Sequence, residues 1–224
     1  EEYERTLRLQ RSLDNPEGQR LALSNLGLTL TDMGRFDEAV PILREARALS
    51  RRLRDPVGEC RSLEYLCDVH QKMGSYEEAL EFADSLIALA RRTGNPVSEA
   101  AGLLNEATAH NDLGHPLAAL RASERGLSLA ESLGHPRYAS ALLLTIGETE
   151  MLLGRLSEAG AAFTRCDSVS RAAGVGANAA IAQARLCQVA WQSGDTARAR
   201  RLGSEALAFS SRIGYEEGEG MNAG

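Results

Sequence analysis

The sequence predicts an all-α solenoid of helix-turn-helix units stacked in series, and three observations carry that prediction. The phrase Gly34-Arg-Phe-Asp-Glu-Ala39 returns as Gly74-Ser-Tyr-Glu-Glu-Ala79, Gly114-His-Pro-Leu-Ala-Ala119, Gly154-Arg-Leu-Ser-Glu-Ala159 and Gly194-Asp-Thr-Ala-Arg-Ala199, each time 40 residues on. A fixed period between about 20 and 50 residues is the mark of a repeat array, in which each unit buries its apolar face against the next. A second signal, Asn15-Pro16, recurs in the same phase as Asp55-Pro56, Asn95-Pro96 and His135-Pro136. The third is composition. The chain is 43% hydrophobic but only 4% aromatic, so leucine and alanine must do the packing, and with abundant Arg and Glu they favour helices.

Taken in order, Glu1 to Asp14 reads as a helix already under way. Tyr3, Leu9 and Leu13 fall in phase with Leu43, Leu49 and Leu53, which makes residues 1–15 the second helix of a preceding, truncated repeat. Each Asn/Asp-Pro pair then starts a first helix, A. An Asn or Asp side chain accepts the orphan N–H groups of the first turn, and Pro at the first position has no N–H to leave unpaired. Helix A of the first unit spans about Pro16 to Met33, with Leu23, Leu26 and Leu30 on one face. Gly34 ends it, because glycine takes positive φ cheaply.

Helix B follows from about Phe36 to Leu53. It opens on Asp37 and Glu38 and closes on Arg51 and Arg52, each charge placed to suit the helix dipole. Five repeats result: 16–55, 56–95, 96–135, 136–175 and 176–215, with 216–224 beginning a sixth. With both ends falling inside a unit, the expectation is an internal piece of a longer protein or a chain with disordered flanks. The fifth start differs, since Gly176 stands where the others have Pro, and a looser helix start is expected there.

The units resemble tetratricopeptide repeats in a longer, 40-residue form. The residues that carry the resemblance are Leu23 to Gly27, then Gly34, Ala39, Leu43 and Ala46. It covers essentially the whole chain and implies a right-handed α-α superhelix. The linker style and the phrase Asn25-Leu26-Gly27 look closest to bacterial regulators of the MalT type, and are also similar to the Pins/LGN adaptors and the kinesin light chains. The sequence departs from the family where an early aromatic and a later tyrosine are expected. It has Leu23, Leu63, Leu103, Leu143 and Gln183 at the first, and Leu30, His70, His110, Glu150 and Ala190 at the second.

Several function classes find no support. Net charge is −6, which argues against nucleic acid as the partner. No apolar run reaches the roughly 18 residues of a membrane span. Phosphate loops, Gly-x-Ser-x-Gly and His-Glu-x-x-His are all missing, so no enzyme is expected. Cys60, Cys67, Cys166 and Cys187 have no metal-ligand spacing and read as free thiols in small-residue positions of a cytoplasmic protein. Cys67 with His70 and His110 lacks a fourth ligand, so no metal and no cofactor is expected. The helix-B arginines read as a solvated outer face.

Candidate binding residues lie on the inner, A-helix side. In the Pins-like and kinesin-like proteins of the resemblance, an Asn in the column of Asn25 grips the backbone of an extended peptide. Asn25 and Asn105 match it, while Tyr65, Thr145 and Arg185 depart. Around them the same face carries Glu64, Asp68, Thr108, Asn111, Glu148, Gln188 and Trp191. Its cations are Arg61, Lys72 and Arg185, too few for the two-lysine clamp of chaperone-type relatives, so a neutral or basic protein segment is the expected partner. The expected function is therefore a peptide-binding scaffold, the sensor or adaptor part of a bacterial regulator. A MalT-type small-molecule sensor, with Trp191, Gln188 and Gln192 on a sugar, and a structural spacer are the alternatives.

Overall fold

Residues 2–213 are described by the structure, a computed structural model. They form eleven α-helices in two compact units that divide between Leu113 and Gly114. The first unit holds α1 (Glu2–Ser12), α2 (Pro16–Asp32), α3 (Phe36–Arg52), α4 (Pro56–Lys72), α5 (Tyr76–Thr93) and α6 (Pro96–Asp112). The second holds α7 (Pro116–Ser132), α8 (Pro136–Leu152), α9 (Leu156–Ala173), α10 (Gly176–Gln192) and α11 (Thr196–Ile213). Among the described residues there is no strand. The sixth repeat expected over 216–224 lies outside the described residues. Consecutive helices pack on one another within each unit, and alternate helices also meet: α2 with α4, α4 with α6, and α8 with α10. The fold class is thus the helical-repeat solenoid that the 40-residue period predicts.

The helix boundaries follow from local chemistry. Asn15, Asp55 and Asn95 accept the N–H of Gly18, Gly58 and Ser98 at 3.1, 2.9 and 3.1 Å, capping α2, α4 and α6. His135 does the same for α8 through Nδ1, which accepts the Tyr138 N–H at 3.4 Å. Val175 supplies no side-chain cap to α10, so the fifth start lacks the anchor its counterparts have. Gly94 and Gly174 close α5 and α9 with φ of 64° and 70°, the left-handed region that glycine enters without strain. Asp14 and Arg54, at the corresponding positions earlier in the chain, take the same turn at φ 47° and 54° without being glycine.

Packing between the A and B helices of one pair is reciprocal in size. An added Cβ on Gly27 would lie 2.4 Å from Leu43 Cδ2, and one on Gly147 would lie 2.4 Å from Phe163 Cε1. At the same two positions in the neighbouring pairs the sizes reverse: Cys67 stands with Ala83, and Cys187 with Gly203, whose added Cβ would sit 3.3 Å from the Cys187 sulfur. In these four pairs a large side chain on B is matched by glycine on A and a small one by cysteine, while the third pair has Ala107 with Ser123. Leu23, Leu43, Leu63, Leu86, Leu103, Leu142, Leu143 and Phe163 are all fully buried or nearly so. The alanines of the recurring phrase, Ala39, Ala79, Ala119 and Ala159, are fully buried as well. Buried hydroxyls return their hydrogen bonds to their own helix: Thr31, Ser50 and Ser62 donate to the carbonyls of Gly27, Ala46 and Gly58.

Some of the helix-B arginines also pair with carboxylates of other helices. Arg47 and Arg51 of α3 each approach Glu59 of α4 at 3.5 Å, and Arg91 of α5 meets Glu99 of α6 at 2.6 Å. Arg165 pairs with Glu131 in the second unit. Each of these pairs joins a B helix to a carboxylate on another helix.

Candidate functional site

In the first unit the predicted face is built from α2, α4 and α6. Asn25 on α2 is exposed, and Tyr65 on α4 and Asn105 on α6 are half-buried. The backbone carbonyl of Asn105 accepts from Gln71 Nε2 at 3.2 Å, which ties α6 to α4. The Asn25 carbonyl likewise accepts only from Thr29. Neither side-chain amide is bonded to another described residue, so each keeps donor and acceptor together for a ligand. Tyr65 packs its ring on the apolar core of this unit, and burial pushes its hydroxyl pKa up, keeping it a neutral donor. Thr108 spends its hydroxyl on the Leu104 carbonyl at 3.0 Å, which makes it a weaker candidate than its position suggests. Glu64, Asp68 and Asn111 are half-buried on the same set of helices.

Lys72 is the chain's only lysine, and it lies between two carboxylates of this face. Its Nζ is 3.2 Å from Asp32 Oδ1 and 3.1 Å from Asp68 Oδ2, so it bridges α2 and α4. The face is therefore acidic with its one ammonium already engaged.

In the second unit the predicted residues are largely spent on each other. Arg185 of α10 donates from Nε and Nη2 to Glu148 Oε1 of α8, at 3.1 and 2.9 Å, and from Nη1 to Gln188 Oε1 at 3.1 Å. Thr145 is buried and bonded to the Ala141 carbonyl. Trp191 is 66% exposed. It lines a groove of about 830 Å³ between α10 and α11 together with Gln188, Leu207 and Arg200.

The cysteines and His70 are packing groups. Cys60, Cys67 and Cys166 are buried and all four thiols are free. Burial pushes the Cys166 thiol up to about 11 and those of Cys60 and Cys67 up as well. His70 is buried with its ring centroid 5.2 Å from that of Phe82, and neither ring nitrogen has a hydrogen-bond partner among the described residues. Burial lowers its pKa. Among the described residues no three His, Cys, Asp or Glu side chains come together as a metal site would require, and no helix is long and apolar enough to cross a membrane.

Residues 21–56 match the family model described as tetratricopeptide repeat. That span contains Leu23 to Gly27, Gly34, Ala39, Leu43 and Ala46, joined here by the interdigitation of Gly27 and Leu43. Over residues 21–56 the chain carries a tetratricopeptide repeat. Solved structures of this repeat solenoid extend the likeness over nearly the whole chain. BtubC (BKLC) from P. vanneervenii superposes with a TM-score of 0.80 at 17% identity, over 95% of this chain and 90% of that one. A STAND signal transduction ATPase with a tetratricopeptide repeat sensor, PH0952 from Pyrococcus horikoshii, gives 0.76 at 16% identity, over 94% of this chain and 32% of that one. A Rap protein complexed with competence and sporulation factor gives 0.77 at 14%, over 94% and 63%. At such identities the likeness shows the fold alone. No curated protein matches in sequence.

Arg185, a candidate binding residue in the sequence, is engaged by Glu148 and Gln188. Arg200 of α11, read from the sequence as part of a solvated face, is exposed and lines the groove beside Trp191.

Proposed function

We propose that this protein is a protein-interaction scaffold that captures an extended, neutral or basic segment on the A-helix face of its first unit. The observation that carries the reading is the pair of uncommitted amides, Asn25 and Asn105, on either side of the half-buried Tyr65. An extended peptide offers N–H and C=O groups along its length, and an amide side chain answers both. Asp32, Asp68 and Glu64 on the same helices favour lysine or arginine in the segment over acidic residues. Relatives of similar fold support a signalling context. One contains a tetratricopeptide repeat sensor and another was solved with a factor bound. The bacterial regulator of MalT type remains the parent that the sequence resembles, and a cytoplasmic location suits four free thiols. Glu148, Arg185 and Gln188 shape a secondary patch whose charges cancel. No catalytic role is assigned.

The test is affinity capture from source-cell lysate with the native chain and with Asn25→Ala/Asn105→Ala, the two compared by circular dichroism. A protein held by the native chain and lost from the double variant is expected. The same proteins on both would overturn the reading and turn attention to a spacer role. The small-molecule alternative calls for an enclosed pocket, whereas the groove beside Trp191 leaves its indole 66% exposed, which favours a macromolecular occupant there.

A further inference from the structure

The 40-residue phase sets Lys72 of α4 beside Asp32 of α2, at the same place near the end of successive A helices. Lys72 does not stand there as a free cation. Its Nζ lies 3.2 Å from Asp32 Oδ1 and 3.1 Å from Asp68 Oδ2, the latter one turn back on its own helix. Burial works against the charge, but the hydrogen bonds to Asp68 and Asp32 outweigh it and hold the Lys72 pKa above its ordinary value. The ammonium is therefore the resident occupant of the gap between the two carboxylates.

That occupant is replaceable. The Lys72 side chain is 41% exposed and that of Asp68 37%, so an incoming cation reaches the pair without crossing packed protein. Ion pairs at such exposure are weak, and exchanging one cation for another leaves neither carboxylate stranded. An acidic group of a partner has no such exchange open to it, because it would bring a third carboxylate to one ammonium. Two carboxylate oxygens in contact with one nitrogen are also what a partner's lysine or arginine would meet, so Nζ stands in for that cation. Lys72 is tethered, and a tethered competitor acts at high effective concentration against a free one. A segment whose backbone is already held by Asn25 and Asn105 is tethered too and competes on equal terms, whereas a polyamine or a loose basic chain does not.

We propose that Lys72 is a displaceable internal counter-ion of the peptide face: the bound segment places a lysine or arginine between Asp32 and Asp68, and Lys72 swings out to admit it. Lys72 thereby sets specificity, reserving the two carboxylates for cations on a segment that the asparagine amides already grip. This role rests on the peptide reading of the A-helix face and adds the side chain that the face selects.

The probe is a dye-labelled, extended serine-glycine peptide with one central arginine, beside its glutamine counterpart, each followed by anisotropy with the full chain. Lys72→Met keeps an unbranched stem and a similar helix propensity, so it spares the fold. It is expected to bind the arginine peptide about fivefold or more tighter than the native chain does, and the glutamine peptide no tighter. Adding Asp68→Asn should cancel the gain. Arg61→Gln removes the same charge from the same helix about 16 Å away, beyond the screening length at physiological salt, and should change binding less than about twofold. Lys72 is the only lysine, so its acylation by an amine-reactive ester can be followed by mass spectrometry, and the arginine peptide but not the glutamine one should speed it. No gain with Lys72→Met, or a gain equal for both peptides or matched by Arg61→Gln, would overturn the counter-ion role. So would an acylation rate that the bound arginine peptide leaves unchanged or slows. In those cases the peptide face itself still stands if binding is lost from Asn25→Ala/Asn105→Ala. Neither peptide binding to any of these chains up to about millimolar concentration would overturn both.

Discussion

Replacing Phe163 and Gly147 together should be far less damaging than the two single changes imply. Phe163 is fully buried, and a Cβ on Gly147 would lie 2.4, 2.6 and 2.7 Å from its Cε1, Cζ and Cδ1. Carbon atoms rest about 3.5–4.0 Å apart, so the ring would have to retreat by about 1 Å into filled space. Overpacking of that kind costs about 1–3 kcal/mol, more for Gly147→Cys than for alanine, and the better helix propensity of the new residue offsets up to about 1. Phe163→Ala leaves a cavity and costs about 3–5 kcal/mol. The double variant Gly147→Cys/Phe163→Ala copies the Cys67 and Ala83 combination that the second pair already uses, so the sulfur fills space that the ring vacated. We expect a coupling of at least about 1.5 kcal/mol in the stabilising direction, within the range for residues in contact. Urea unfolding of the four proteins, followed by helicity and by Trp191 emission from the same unit, measures it. Costs that add to within about 0.5 kcal/mol would refute the reciprocal-packing argument.

Arg54 holds φ at 54°, where a side chain is strained, so Arg54→Gly should leave stability unchanged or raise it by up to about 1 kcal/mol in the same urea assay, while Arg54→Val should lower it. His70 is kept neutral by burial, with Arg44 acting in the same direction and Glu78 opposing. The unfolded chain therefore takes the proton first, and stability is undiminished above the ordinary value of 6.5 but declines as pH falls from there toward the lower folded value. His70→Leu should show a smaller loss of urea midpoint between about pH 7.5 and pH 5 than the native chain, and an equal loss would count against the assignment. Cys187 is only half-buried while the other three cysteines are buried, so a disulfide reagent should modify Cys187 first in the native state, as a Cys187→Ser control would verify. Glu59→Gln should lower stability modestly, by about 0.5–1 kcal/mol, and the loss should shrink at high salt, because it removes the carboxylate that Arg47 and Arg51 share.

Period, helix boundaries and helix class are local properties, and the sequence alone determined them. Asn15, Asp55 and Asn95 cap because the acceptor sits a few bonds from the N–H groups it serves, and Gly94 and Gly174 stop helices because of their own φ preference. The small-residue column was equally legible, since Gly27 and Leu43 lie only sixteen positions apart on adjacent helices. The fate of the polar residues was not. Asn25, Asn105, Glu148 and Arg185 are alike in the sequence, as polar side chains on one helix face. Only the tertiary structure separates them: Glu148 and Arg185 neutralise each other across 37 residues, Lys72 reaches back 40 residues to Asp32, and the two asparagine amides stay uncommitted. The physical reason is that hydrogen bonds and ion pairs between helices depend on side-chain reach across a packed gap of a few ångströms, which a repeat pattern does not encode. The same holds for Arg200 and Trp191, whose exposure is decided by which helix packs over them rather than by anything in their own turn of helix.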